Sequence, residues 1–123
     1  MTTTLEVGKR LVELCREGKN AEALKELYAK DIVSVEAGVP PGMSAETRGI
    51  EGVIAKSTWW AENHTVHSAK AEGPWPHGDR FIARFTYDIT MKASNQRVTM
   101  DEAALYTVAD GKIVREEFFY TGG

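Results

Sequence analysis

Glu36 closes a run of mainly β-branched residues, Ile32-Val33-Ser34-Val35-Glu36, and Asp101 stands in a second strand-like stretch nearer the C-terminus. A carboxylate beside apolar walls loses water, which raises its proton affinity toward what a general base needs. Glu36 is therefore a candidate base. Asp101, if its strand turns it inward, is a candidate acid or charge-stabilising partner; turned outward, it would pair with Arg97 or Arg84. His67, at the expected start of a strand, and Tyr87 are supporting polar groups, imidazole being the side chain that changes charge near neutral pH.

Aromatic residues surround these positions. Phe118 and Phe119 are adjacent, so on a strand they must point to opposite sides, and one of them has to find a partner away from the core. Trp60, Phe85, Phe118 and Tyr120 are candidate walls of a small apolar pocket. If Phe118 and Tyr120 face the interior together with Glu116, then Glu117 and Phe119 face outward and offer a surface for a second copy; the opposite phase is open. A buried Glu116 or Glu117 would call for an arginine, with Arg84 and Arg115 the nearest suppliers. His64 and His67 are three apart, but the helix is expected to end between them, so no metal site is expected. Neither a cofactor motif nor a nucleophile with a neighbouring base is present.

The elements that must position these groups read clearly along the chain. "TTLE" has capping-box spacing, and Leu5, Gly8, Leu11, Val12 and Cys15 recur on one helical face. A second helix is expected from Asn20, with Ala23, Leu24, Leu27 and Tyr28 as its apolar stripe. "DIVSVEAG" is a strand, followed by a proline-rich loop, and "GIEGVIAKSTWWAENH" is a third helix with Ile50, Val53, Ile54, Ser57, Trp60, Ala61 and His64 on one face. Beyond residue 65 the period becomes two. Turns at 73–79, 92–96 and 109–111 separate four antiparallel strands, the Asp110-Gly111 pair being the strongest hairpin signal. From Phe81 to Met91 every second residue is apolar, so helices need cover only one face.

Residues 1–123 are expected to form a single domain, with a composition 42% hydrophobic and 27% charged that suits a folded protein. The net charge of −3 offers no cationic excess for phosphates, which argues against nucleic acid. No stretch is long and apolar enough to cross a membrane. Cys15 stands alone, which fits a reducing, cytoplasmic setting.

The segments "EALKELYAKDIVSVE", "TRGIEGV" and "LYTVADGKIVREEFFY", with this order of elements, resemble the nuclear transport factor 2-like superfamily, which includes ketosteroid isomerases and SnoaL-like polyketide cyclases. The resemblance implies an α+β cone, three N-terminal helices on a highly curved antiparallel sheet, with an apolar pocket and often a homodimer, which the aromatic excess of this chain would place on the outer sheet face. It puts Glu36 where the isomerases keep their base. Leu11 falls where they have an oxyanion-hole tyrosine, making it a pocket wall, and Ala103 where they have a protonated aspartate. The expected function is a cofactor-independent isomerase or cyclase moving a proton next to a carbonyl of a small apolar molecule. A non-catalytic binder or a protein-interaction adaptor of the same fold are the alternatives.

Overall fold

The computed structural model describes residues 2–39 and 41–120. Two helices come first, α1 (Thr4–Arg16) and α2 (Asn20–Leu27). The Thr3 hydroxyl accepts from the Glu6 backbone N–H at 3.1 Å, which satisfies one of the open donors at the start of α1. There follow β1 (Tyr28–Val35), the short β2 (Glu46–Arg48), α3 (Ile50–Asn63), β3 (His64–His77), β4 (Arg80–Met91), β5 (Gln96–Ala109) and β6 (Lys112–Phe119). Tyr28 opens β1 instead of completing the stripe of α2, so its ring belongs to the sheet. The turn expected at 73–79 shrinks to Gly78 and Asp79, because β3 continues through an irregularity between Glu72 and Trp75.

The strands form one sheet in the order β2-β1-β6-β5-β4-β3. β3 to β6 are the expected antiparallel meander, but β1 lies parallel to β6, so the sheet is mixed. Its four register shifts are places where a bulged strand bends. Asp110 and Gly111 both have positive φ, 52° and 75°, as the two-residue turn between β5 and β6 requires.

The helices cover one face of this sheet. Val7, Leu11, Val12 and Cys15 of α1 bury against Phe81, Ala83 and Phe85 of β4 and Ala104, Tyr106 and Val108 of β5. Gly8 permits the close approach, since a Cβ there would lie 2.7 Å from the Pro74 Cβ. Phe81 stacks on Tyr106 with ring centroids 4.8 Å apart. Leu11 and Phe85, expected as pocket walls, sit inside this packed core at 2% and 3% exposure, because the buried face of α1 carries Leu11 into it and packs on the strand that holds Phe85. No helix of the described residues is long and apolar enough to cross a membrane.

Candidate functional site

At the other end of the sheet the inner face is not sealed. Glu36, Lys56, Glu102, Phe118 and Tyr120 are half-buried there, and Glu116 and Ser34 lie fully buried behind them. A cleft of about 570 Å³, open on one side rather than enclosed, runs along Glu36, Phe118 and Tyr120 and reaches over the rim to Asp101 and Phe119.

One hydrogen-bonded chain connects the core to this cleft. Tyr28 donates its hydroxyl to Glu116 Oε1 at 2.5 Å and Ser34 donates to Oε2 at 2.7 Å. The Ser34 oxygen accepts from Lys56 Nζ at 2.6 Å, and Lys56 also donates to Glu36 Oε1 at 2.8 Å. Tyr120 completes the chain by donating to Glu36 Oε2 at 2.9 Å. β1 and β6, neighbours in parallel register with Ser34 opposite Glu116, supply five of these groups or their immediate extensions; α3 supplies the lysine. Val53 is buried one turn before Lys56 and anchors that face of α3. The lysine also lies 5.6 Å from the centre of the Phe118 ring.

Burial and charge set the proton affinities. Burial pushes Glu116 upward, against the pull of the two hydroxyls and of Lys56. Glu102 is moved furthest into a useful range: burial first, then the charges of Glu36 and Glu116, raise it to about 7, with Lys56 opposing and, among the described residues, no hydrogen bond holding it. Burial and the Glu36 carboxylate push the Tyr120 phenol up to about 12. Cys15 is pushed up to about 12 by burial in the core, where it is an inert thiol.

The structure separates the residues expected to act together. Glu36, Phe118 and Tyr120 meet at the cleft, and the first of the two phases considered for β6 is the one observed. Asp101 does not turn inward: it lies on the outer face, paired with Arg84 through bonds of 3.0 and 2.6 Å. That pairing holds its carboxyl below the ordinary range. Its neighbour Glu102 takes the inward position, because period two puts Val98, Met100, Glu102, Ala104, Tyr106 and Val108 on one face. His67 is exposed next to a register shift, 2.6 Å from the Thr90 hydroxyl, and stands apart from the cleft. Tyr87 and Trp60 face each other at 5.6 Å on the inner side, with Trp60 also stacked on His64 at 4.5 Å. Glu116 needs no arginine, since two hydroxyls serve it; Arg84 and Arg115 point outward to Asp101 and Glu117. Glu102 and Lys56 were legible only as interruptions of apolar faces, at positions flanked by Met100 and Ala104 and by Val53 and Trp60. Among the described residues no three His, Cys, Asp or Glu side chains converge to hold a metal.

The family model of the SnoaL-like domain matches residues 1–120. A Mesorhizobium loti protein provisionally described as a SnoaL-like polyketide cyclase, and also as a carbohydrate phosphatase, is 47% identical, with 97% of this chain and 100% of that chain covered and a TM-score of 0.91. A Bacillus subtilis protein provisionally described as an isomerase has 15% identity, a TM-score of 0.79 and coverage of 98% and 90%. A Catenulispora acidiphila protein with a ketosteroid isomerase-like fold, in complex with trimethylamine, has 20% identity, a TM-score of 0.74 and coverage of 98% and 88%. The last two establish likeness of fold alone. No curated protein matches the chain.

Proposed function

The chain belongs to the family of SnoaL-like domains, and from that premise we propose that it is a cofactor-independent isomerase or cyclase acting on a small, largely apolar carbonyl compound. The observation that carries this reading is Glu102, a half-buried carboxyl with a proton affinity near 7 and, among the described residues, no hydrogen-bond partner, on the inner face where its charge is coupled to the Glu36–Lys56 pair. A carboxyl so poised is present in both protonation states near neutrality, which is the condition for taking a proton and returning it. Glu36 is the companion carboxylate, held by Lys56 and Tyr120. Phe118, Trp60 and Tyr87 offer apolar and aromatic surface for the substrate body.

In the proposed step the Glu102 carboxylate removes a hydrogen from the carbon next to a carbonyl. The C–H pair moves into the new carbon–carbon double bond and the carbonyl pair moves onto oxygen, leaving an enolate and a neutral Glu102. Returning the proton at another carbon isomerises the substrate. Attack of the enolate carbon on a second carbonyl closes a ring, and Glu102 protonates the resulting alkoxide.

Solvent-deuterium exchange at the activated carbon tests this, with a panel of aryl 1,3-diketones and β-keto esters followed by mass spectrometry. The expected result is catalysed exchange that Glu102→Gln lowers by about 10²–10⁴-fold. Binding of the panel without exchange would point to a carrier instead, and exchange undiminished in Glu102→Gln would remove this residue from the chemistry.

The same reading includes a homodimer through the outer sheet face. Trp75 lies opposite Ile82, and Ile82 opposite Leu105, across three neighbouring strands; Trp75, Ile82 and Phe119 are 53%, 44% and 53% exposed. Apolar side chains grouped in this way are what a second copy would cover. Native mass measurement of the protein and of Ile82→Glu checks it: a dimer that becomes a monomer supports the interface, and a monomeric native protein overturns it.

A further inference from the structure

Lys56 is the cation that reaches the inner carboxylates. Among the described residues no other Lys or Arg hydrogen-bonds to Glu36, Glu102 or Glu116. An ammonium has three donors. Two of them are engaged, by Ser34 at 2.6 Å and by Glu36 at 2.8 Å, while the side chain keeps 29% of its surface open. Its position does not depend on a ligand: Ser34 is fully buried, Val53 anchors α3 one turn earlier, and the Phe118 ring lies 5.6 Å away. The result is a charged donor fixed in advance against two residues, Glu36 and Phe118, that line the cleft.

We infer that Lys56 is the residue that receives the substrate's carbonyl oxygen and stabilises the negative charge it acquires. The inference rests on the acid–base reading above and narrows its substrate class to carbonyl compounds whose oxygen becomes anionic in the reaction, such as those passing through a flat, conjugated enolate. The third N–H of Lys56 donates to the carbonyl oxygen as the C–H pair shifts toward it. No proton leaves the lysine, so the transfer at carbon remains with Glu102. A donor already in place when charge develops lowers the barrier without reorganising first. Meanwhile Glu36 and Ser34 hold the ammonium on its other side, so that the lysine is aimed at the oxygen rather than free to turn away.

A binding measurement separates this role from that of Glu102, because it needs no proton transfer at carbon. The probe is 4-nitrophenol, a flat oxygen acid whose ionised form has its own absorbance band, titrated with protein at a pH below the phenol's own pKa. The native protein is expected to bind the phenolate in preference to the phenol, so that the phenolate band grows on binding. In Lys56→Met the preference falls by about tenfold or more, equivalent to at least about one pKa unit. Lys56→Arg, which keeps the charge, is expected to restore part of it, and far-UV circular dichroism of both variants checks that each is folded. Phenolate preference retained in folded Lys56→Met, or a native protein that takes up only neutral phenol or none, would overturn the assignment. A lysine-dependent preference in the native protein, found together with exchange that ignores Glu102→Gln, would uphold Lys56 while removing the base.

Discussion

Asp101 and Glu102 are neighbours in the chain and opposites in the structure. Asp101 projects from the outer face into solvent, and the hydrogen bonds from Arg84 hold its carboxyl below the ordinary range. Asp88, on the same face, is treated alike by Arg97. Glu102 projects from the inner face, where burial and two further glutamates raise it to about 7. Glu116, deeper on that face, is also pushed upward by burial. A single step along a strand therefore reverses the sign of a carboxyl's pKa shift. Side-chain direction decides it: one face of this sheet meets water and arginines, and the other meets apolar walls where, among the described residues, Lys56 stands with Glu36, Glu102 and Glu116.

The contrast can be broken most severely at Glu102 itself, where Glu102→Gln removes the poised carboxyl and the expected loss of proton exchange is the largest effect of any single change on the inner face. Next comes Glu116. Replacing it by Ala leaves the hydroxyls of Tyr28 and Ser34 without their acceptor in a buried site, at about 1–3 kcal/mol for each group left unpaired. Denaturant unfolding should register the full loss in Glu116→Ala and much less in Glu116→Gln, whose amide oxygen still accepts.

The pH dependence of stability sharpens the same contrast. Glu102 is raised from an ordinary 4.5 to about 7, so within that window the folded protein retains a proton that the unfolded chain has released. The stability this proton confers is complete below about 4.5 and is lost as the pH rises through about 7. Glu116, also raised, adds to the fall. Melting curves of Glu102→Gln should be flatter over this interval than those of the native protein. Asp101 acts in the opposite sense, since its depressed proton affinity adds stability above its unfolded pKa and loses it as the solution becomes acidic. Asp101→Asn should leave the slope between 4.5 and 7 unchanged. The smallest effect is expected from Arg84→Ala, which frees an exposed carboxylate and should matter less as salt is added.

How far the residues revealed this beforehand depended on how densely each strand was patterned. In β4, Phe81, Ala83, Phe85 and Ile89 alternate with Arg80, Ile82, Arg84 and Asp88, and the face was readable directly. Helix positions were also readable, because caps and apolar spacing agree over more than one turn. β5 was harder: Asp101, two residues before Ala103, shares the strand face on which the resemblance puts an aspartate, although the more apolar phase, Val98 to Val108, includes Glu102 instead. A charged residue within an apolar phase is the signal that would have found it. Lys56 was hidden for a similar reason, lying between Val53 and Trp60 beside a face read as Ile50, Val53, Ile54, Ser57, Trp60, Ala61 and His64; Ile54, assigned to that face, is 36% exposed. The parallel pairing of β1 with β6 had no local signature at all, since it joins segments about eighty residues apart. That pairing is what sets Ser34 opposite Glu116 and so builds the hydrogen-bonded chain.

The most direct test is a ¹³C NMR titration of the side-chain carboxyls. The account predicts that Glu102 changes protonation near pH 7, while its chain neighbour Asp101 does so below the ordinary aspartate range. A Glu102 carboxyl that titrates at an ordinary 4.5, as a solvated glutamate would, contradicts the inward, desolvated placement and the acid–base function drawn from it.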